Sequence, residues 1–180
     1  MRIVGGIHRS ILISPPKGLP VRPTTDRAKE SLFNIIENNF DISDLSVLDI
    51  FSGTGNIAYE FASRDAAKVV AVDINEKCVQ FIKSVKEKLK LAQLQPVKKD
   101  AFAYLKNAEG SFDIIFADAP YAHHRIIEIP RMVHEKQLLS ANGWLIVEHE
   151  AMLDLDTEPG FFDKRVYGQS AFSFFKRIEE

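Results

Sequence analysis

A single cysteine, Cys78, stands in a chain of 180 residues. One thiol excludes a disulfide framework within the chain and fits a reducing compartment. The N-terminus carries no apolar core of the kind a signal peptide needs, and no run approaches membrane-spanning length. A soluble cytoplasmic protein with no membrane partner is therefore expected. The five histidines and the lone cysteine show no metal-ligand spacing, so no metal is expected either. Repeats and low-complexity segments are missing as well. Positive charge is not in excess, since the formal net charge is −2, which argues against a wholly basic nucleic-acid binder.

Hydrophobic residues at 46% and charged residues at 27% are ordinary globular values, and the length fits one domain with at most a small appendage. The charge is unevenly spread. Residues 1–30 hold Arg2, Arg9, Lys17, Arg22, Arg27 and Lys29 against Asp26 and Glu30, a local net of +4 that leaves −6 for the remainder. A basic segment on an acidic body has the form of a phosphate-binding footprint. Scattered charges on a solvated surface strand would give the same composition.

The chain is organised around residues 47–58. Val47, Leu48, Ile50 and Phe51 form a short apolar run suited to a central parallel strand. Gly53 and Gly55 then permit a sharp turn and close approach of the backbone to a ligand, with the amides of the following helix pointing at it. A second apolar run, Val69–Val72, closes on Asp73, twenty residues after Gly53. That spacing sets a carboxylate beside the first turn, where it can hold ribose hydroxyls. A nucleoside-containing cofactor at two adjacent strand ends follows. Gly53, Gly55 and Ala58 also satisfy the loose dinucleotide pattern, so a nicotinamide enzyme stays open as a rival.

Around this centre the spacing predicts alternating strands and helices. A helix begins at Thr25 or Asp26, with Ala28, Leu32, Ile35, Ile36 and Phe40 on its apolar stripe and Lys29, Glu30 and Glu37 off it. Asn75 caps a helix whose stripe is Cys78, Val79, Ile82, Val85 and Leu89. Gln95–Asp100 reads as a third strand and Ala101–Asn107 as a helix that Asp100 can cap. Phe112–Ala117 is a fourth strand, residues 125–139 a helix interrupted by Pro130, and Gly143–Glu148 a fifth strand. Residues 161–166 and 171–175 form a closing hairpin around Tyr167-Gly168-Gln169-Ser170. Residues 1–23 read as a small hairpin or extended arm. This order suits a doubly wound, mostly parallel α/β sheet with an antiparallel last strand.

Two features bear on the cofactor. Asp49 lies in the first strand four residues before Gly53, where a pyrophosphate would not want an acid but a cationic amino-acid end would. Asp118-Ala119-Pro120-Tyr121 closes the fourth strand. Together they resemble the S-adenosylmethionine-dependent methyltransferases, which carry an acid-then-glycine loop after the first strand. Those that methylate exocyclic amines add an (Asn/Asp)-Pro-Pro-(Tyr/Phe) motif after the fourth. Arg2-Ile3-Val4-Gly5-Gly6, Arg22-Pro23-Thr24-Thr25-Asp26-Arg27 and Leu32-Phe33-Asn34 make the likeness closer. With Tyr167-Gly168-Gln169-Ser170 they resemble the bacterial small-subunit ribosomal RNA guanine-N2 methyltransferases of the RsmD type, over nearly the whole chain. Two departures are Ser10, where that family usually has glycine, and Ala119, where it has proline.

The resemblance implies a Rossmann-like, seven-stranded sheet with an antiparallel last strand. It divides the chain into an N-terminal basic hairpin arm, residues 1–23, and a methyltransferase domain, residues 24–180. It implies S-adenosyl-L-methionine as cofactor, bound by Asp49, Phe51, Ser52, Gly53, Thr54, Gly55, Asp73 and Ile74, with Asp100, Ala101 and Phe102 along the adenine rim. It implies Asp118, Ala119, Pro120 and Tyr121 as the catalytic loop. The expected partner is ribosomal RNA or a small-subunit particle, gripped by Arg2, Arg9 and Arg22.

The chemistry of the fourth-strand loop is consistent with that. An exocyclic amine is a poor nucleophile because its lone pair is delocalised into the ring. Acceptors for its N–H groups return electron density to nitrogen, and Asp118 and the Ala119 carbonyl supply them. Pro120 biases Ala119 towards an extended conformation, and Tyr121 offers a stacking face. An ionised carboxylate accepts from both N1–H and the N2 amine of guanine, which favours guanine over adenine. A methyltransferase for a small molecule or a protein amide, and an RNA-binding assembly factor without turnover, remain as alternatives.

Overall fold

A computed structural model of the chain describes residues 1–19, 25–120 and 124–178. One seven-stranded sheet runs through it in the order β3-β2-β1-β4-β5-β7-β6. The strands are β1 (Ser46–Asp49), β2 (Lys68–Asp73), β3 (Leu94–Lys98), β4 (Phe112–Asp118), β5 (Leu139–Glu150), β6 (Phe161–Tyr167) and β7 (Ser170–Lys176). The first five are mutually parallel. Strand β7 is antiparallel to both of its neighbours, β5 and β6, so it alone reverses the sheet. The architecture is the expected Rossmann-like one, with the change of winding direction at β1 and β4.

Helices α1 (Asp26–Glu37), α2 (Asn56–Ser63) and α3 (Glu76–Leu89) cover one face, and α4 (Ala101–Asn107) and α5 (Glu128–Glu135) the other. Each face buries the alternate residues of the same strands: Val47, Ala71 and Phe116 on one, Leu48, Val70 and Ile115 on the other. Central strands buried on both faces read as unbroken apolar runs for this reason. Caps fall where the sequence puts them. Thr25 accepts from the Ala28 amide, Asn75 from those of Lys77 and Cys78, and Asp100 from that of Ala103.

The first residues form the expected hairpin. Ile3 N–H donates to the Ile11 carbonyl at 3.0 Å and Ile13 N–H to the Met1 carbonyl at 2.9 Å, with Arg2 and Leu12 bridged antiparallel. Ile3 and Ile13 are buried in the same core as α1 and α2, so the arm is packed down. Cys78 is buried, as its place on the α3 stripe requires.

Three expectations need correcting. Lys29 is on the buried face of α1 together with Phe33, because positions 29, 32, 33 and 36 share one helical stripe. The helix expected over 125–139 is a 3₁₀ turn, His124–Ile127, followed by α5 from Glu128. Pro130 therefore falls in the first turn, where no intrahelical N–H is needed, and interrupts nothing. Strand β5 begins at Leu139 rather than Gly143, with an irregularity opposite β4 between Phe112 and Ile114.

Candidate active site

The chain leaves β1 at Asp49 and crosses the sheet edge between its neighbours. Ile50 N–H donates to the Phe116 carbonyl on one side and Ser52 N–H to the Val72 carbonyl on the other, both at 3.0 Å. Gly53 and Gly55 then take positive φ angles of +51° and +88°. Gly55 starts α2 in the left-handed region and has no side chain to cap it. A methyl group at Gly55 would run into the Tyr59 ring, whereas one at Gly53 meets nothing within 4 Å. Gly55 is thus required by conformation and packing, and Gly53 by conformation and by an open approach to its backbone. Ser52 and Thr54, on either side of Gly53, are buried.

Two carboxylates serve this loop. Asp73, at the end of β2, accepts from Gly53 N–H and from Asn75 N–H, each at 2.8 Å. Asp49 is buried beneath the loop, and its carboxylate accepts from the amides of Ala58 and Phe51. Ala58 is the third residue of α2, so Asp49 does for that helix what Gly55 cannot. Burial first, and then the charge of Asp73, push the Asp49 carboxyl up to about 8. Burial also raises Asp73.

Beside the loop, Phe51 and Phe102 meet edge to face with centroids 6.0 Å apart. Ala101 and Phe102 are buried, Asp100 is exposed at the cap of α4, and Ile74 is 68% exposed next to Asp73. Sequence reasoning missed Arg125, whose guanidinium lies 4.0 Å over the Phe102 ring while pairing with Glu128.

Asp118 ends β4, half-buried, followed by buried Ala119 and exposed Pro120. Tyr121 lies outside the described residues. Asp49 is level with Ala71 on one side and Phe116 on the other, so Asp73 and Asp118 each stand two residues beyond it. Strand alternation puts all three on one face of the sheet. Glu148, buried and level with Asp118 on β5, joins them. Four acids from four adjacent strands thus share one end of one face.

Of the three arginines expected to meet RNA, Arg2 pairs with Asp26 at 3.0 Å, both about half exposed, and Arg9 is exposed. Arg22 lies outside the described residues. A buried ion network behind the arm escaped the sequence reading altogether: Lys29, Glu60 and Arg64. Its signal was a lysine at stripe spacing, facing a glutamate in the apolar segment Ile57–Ala62.

No group of acids, histidines and cysteines suited to a metal occurs among the described residues. The lining does suit a nucleoside with a cationic tail: a glycine loop with open space at Gly53, an acid beside it at Asp73, an aromatic pair, and a buried acid whose ionised form needs a positive partner.

The family described as Conserved hypothetical protein 95 matches residues 1–176. Ribosomal RNA small subunit methyltransferase D of Escherichia coli K12 is 28% identical over 180 residues, 98% of this chain and 90% of that protein. The chain belongs to this RsmD-type family. YlbH of Bacillus subtilis is 31% identical over 184 residues, covering 98% of this chain and 99% of its own. The solved structure of Escherichia coli yhhF superposes with a TM-score of 0.86 at 26% identity, over 100% of this chain and 99% of that one. The likeness thus extends from the arm through the glycine loop to β7.

Proposed function

We propose that this RsmD-type chain transfers a methyl group from S-adenosyl-L-methionine to the exocyclic N2 amine of a guanine in small-subunit ribosomal RNA. The observation that carries the reading is the level of three acids on one sheet face. Asp73 and Asp118 flank Asp49 from opposite sides, each two residues further out. One cleft can then serve a nucleoside on the β1–β2 side and an amine on the β4 side. The name of the Escherichia coli relative supports ribosomal RNA as the substrate class.

Bound there, S-adenosyl-L-methionine supplies an electrophilic methyl group on a sulfonium. The remaining work falls to the chain. The side-chain-free loop at Gly53 and Gly55 lets the ligand approach the backbone closely, helped by the positive end of α2. Asp73 keeps lone pairs for ribose hydroxyls after taking its two amide bonds. Phe51, Ile74, Ala101 and Phe102 flank the adenine, and Asp100 takes its amine while capping α4. Asp49, neutral at pH 7 beside Asp73, ionises when a cationic amino group is placed against it. On the far side Asp118 and the Ala119 carbonyl accept from the target amine and orient its lone pair. Pro120 restrains Ala119, and Tyr121 stacks on the extruded base. Arg2, Arg9 and Arg22 hold the phosphate backbone.

The test is incubation with methyl-labelled cofactor and small-subunit particles, followed by nucleoside analysis. N2-methylguanosine is the expected product, and N6-methyladenosine as the sole product would overturn the guanine assignment. Asp118→Ala is expected to lower turnover at least about a hundredfold with S-adenosylhomocysteine affinity unchanged within twofold. RNA binding without label transfer by the intact chain would leave the assembly-factor reading in its place.

A further inference from the structure

Lys29 is 1% exposed, and its ammonium has three acceptors for its three protons. Nζ donates to Glu60 Oε1 at 2.8 Å, to Asn56 Oδ1 at 2.9 Å and to the Arg2 carbonyl at 2.5 Å. Glu60 Oε1 also takes the Val4 amide at 2.7 Å, and Oε2 pairs with Arg64. Further along α2, Ser63 Oγ donates to the Gly5 carbonyl at 2.6 Å, and the Ser63 carbonyl accepts from Ile7 N–H at 2.8 Å. The arm therefore meets α2 directly at Glu60 and Ser63, and reaches the first residue of that helix through Lys29. Asn56 is that first residue, adjoining Gly55 and the cofactor loop.

A buried pair of this kind adds little stability over an apolar pair of equal volume. What it does fix is geometry, since an ammonium with three set acceptors admits one arrangement. Here the acceptors belong to the arm, to the middle of α2 and to the residue beside the glycine loop.

We propose that Lys29 is a positioning residue that couples the arm to the cofactor loop. RNA held on the arm through Arg2 strengthens cofactor binding at the Gly53–Gly55 loop, and the cofactor strengthens RNA binding by the same factor. This rests on the function proposed above. The route is short: the Arg2 side chain holds phosphate, the Arg2 carbonyl holds Lys29, and Lys29 holds Asn56. Reciprocity is required of any such equilibrium coupling.

The experiment is calorimetric titration of S-adenosylhomocysteine into the full chain, with and without a saturating small-subunit rRNA fragment. In the unaltered protein the RNA is expected to tighten S-adenosylhomocysteine about fivefold or more. Asn56→Ala cuts only the loop end of the relay, leaving Lys29 on Glu60 and on the arm. It is expected to bind each ligand alone within about threefold of the parent and to lose the coupling. Asn56→Asp keeps an acceptor for Lys29 and is expected to restore the coupling, which a merely structural role for Asn56 would not require. Both ligands binding the parent independently would overturn the coupling and leave the proposed function standing. Undiminished coupling in Asn56→Ala would overturn the route through Lys29. Failure of the parent to bind S-adenosylhomocysteine at all would remove both.

Discussion

Asp49 lies buried beside Asp73, and burial together with that neighbouring charge lifts its carboxyl to about 8. Its ordinary value is 3.8. Below about pH 4 the acid is protonated in the folded and the unfolded chain alike. Between about pH 4 and pH 8 the unfolded chain releases this proton and the folded chain keeps it, so each unit of rising pH lowers stability. Above pH 8 both forms are ionised and the loss is complete. The slope from this one group reaches at most about 1.4 kcal/mol per pH unit. Asp49→Asn cannot ionise, so its unfolding midpoint is expected to fall less than the parent's from pH 5 to pH 8. Equal pH profiles would show that Asp49 is ionised in the free protein. The same balance predicts proton release when S-adenosylhomocysteine binds at pH 7, readable by calorimetry in buffers of different ionisation enthalpy.

The two loop glycines are expected to fail differently. Gly55→Ala combines a φ of +88° with a collision against Tyr59, so it should cost about 2–3 kcal/mol in denaturant unfolding. Gly53→Ala has the positive φ but open space around the new methyl group, and about 1 kcal/mol is expected. Its effect on S-adenosylhomocysteine should be the larger, about tenfold or more, because the methyl stands where the backbone receives the ligand. A Gly53→Ala protein with parental affinity would move the ligand away from this loop.

Much of this was legible in the residues. The apolar run around Asp49 and those closing on Asp73 and Asp118 marked strands buried on both faces, and Thr25, Asn75 and Asp100 marked helix starts through side-chain chemistry that is local. Lys29 was not legible, because a lysine on a helix is ordinarily solvated and its partner Glu60 lies 31 residues away. Only the packing of α1 against α2 brings the two charges together out of water. Pro130 was misread for the opposite reason. Its meaning depends on where the helix starts, and a 3₁₀ turn moved that start by three residues, from 125 to 128. The level of Asp118 against Asp49 needed the register of β1 on β4, which sequence spacing does not contain.

Lys29→Met removes the ammonium and leaves Glu60, 0% exposed, with Arg64 as its remaining charged partner. Breaking one side of a buried pair is expected to cost about 3 kcal/mol in denaturant unfolding. Lys29→Met combined with Glu60→Leu should recover part of that loss, because no carboxylate is then left buried beside an apolar chain. Arg64 stays held by Glu37 and by the Phe33 ring in the double variant. A double variant no more stable than Lys29→Met would show that the arm backbone contacts of Glu60, rather than its charge, carry the energy.

Ser10 takes a φ of +70°, in the left-handed region, at the turn of the N-terminal hairpin. Its N–H donates to the Ile3 carbonyl at 2.8 Å, so the conformation is set by the hairpin ladder rather than by the side chain. The related proteins are expected to carry glycine here, and the geometry gives the reason: only glycine adopts this angle without a Cβ clash. Relief of that clash, about 1–2 kcal/mol, outweighs the extra freedom glycine gains in the unfolded chain, about 0.5–1 kcal/mol. Ser10→Gly is therefore expected to stabilise the protein by about 0.5 kcal/mol, read as a raised urea midpoint with an unchanged slope. Ser10→Ala keeps the clash and should show no gain. If Ser10→Gly instead destabilised the chain, the serine hydroxyl would be holding the turn.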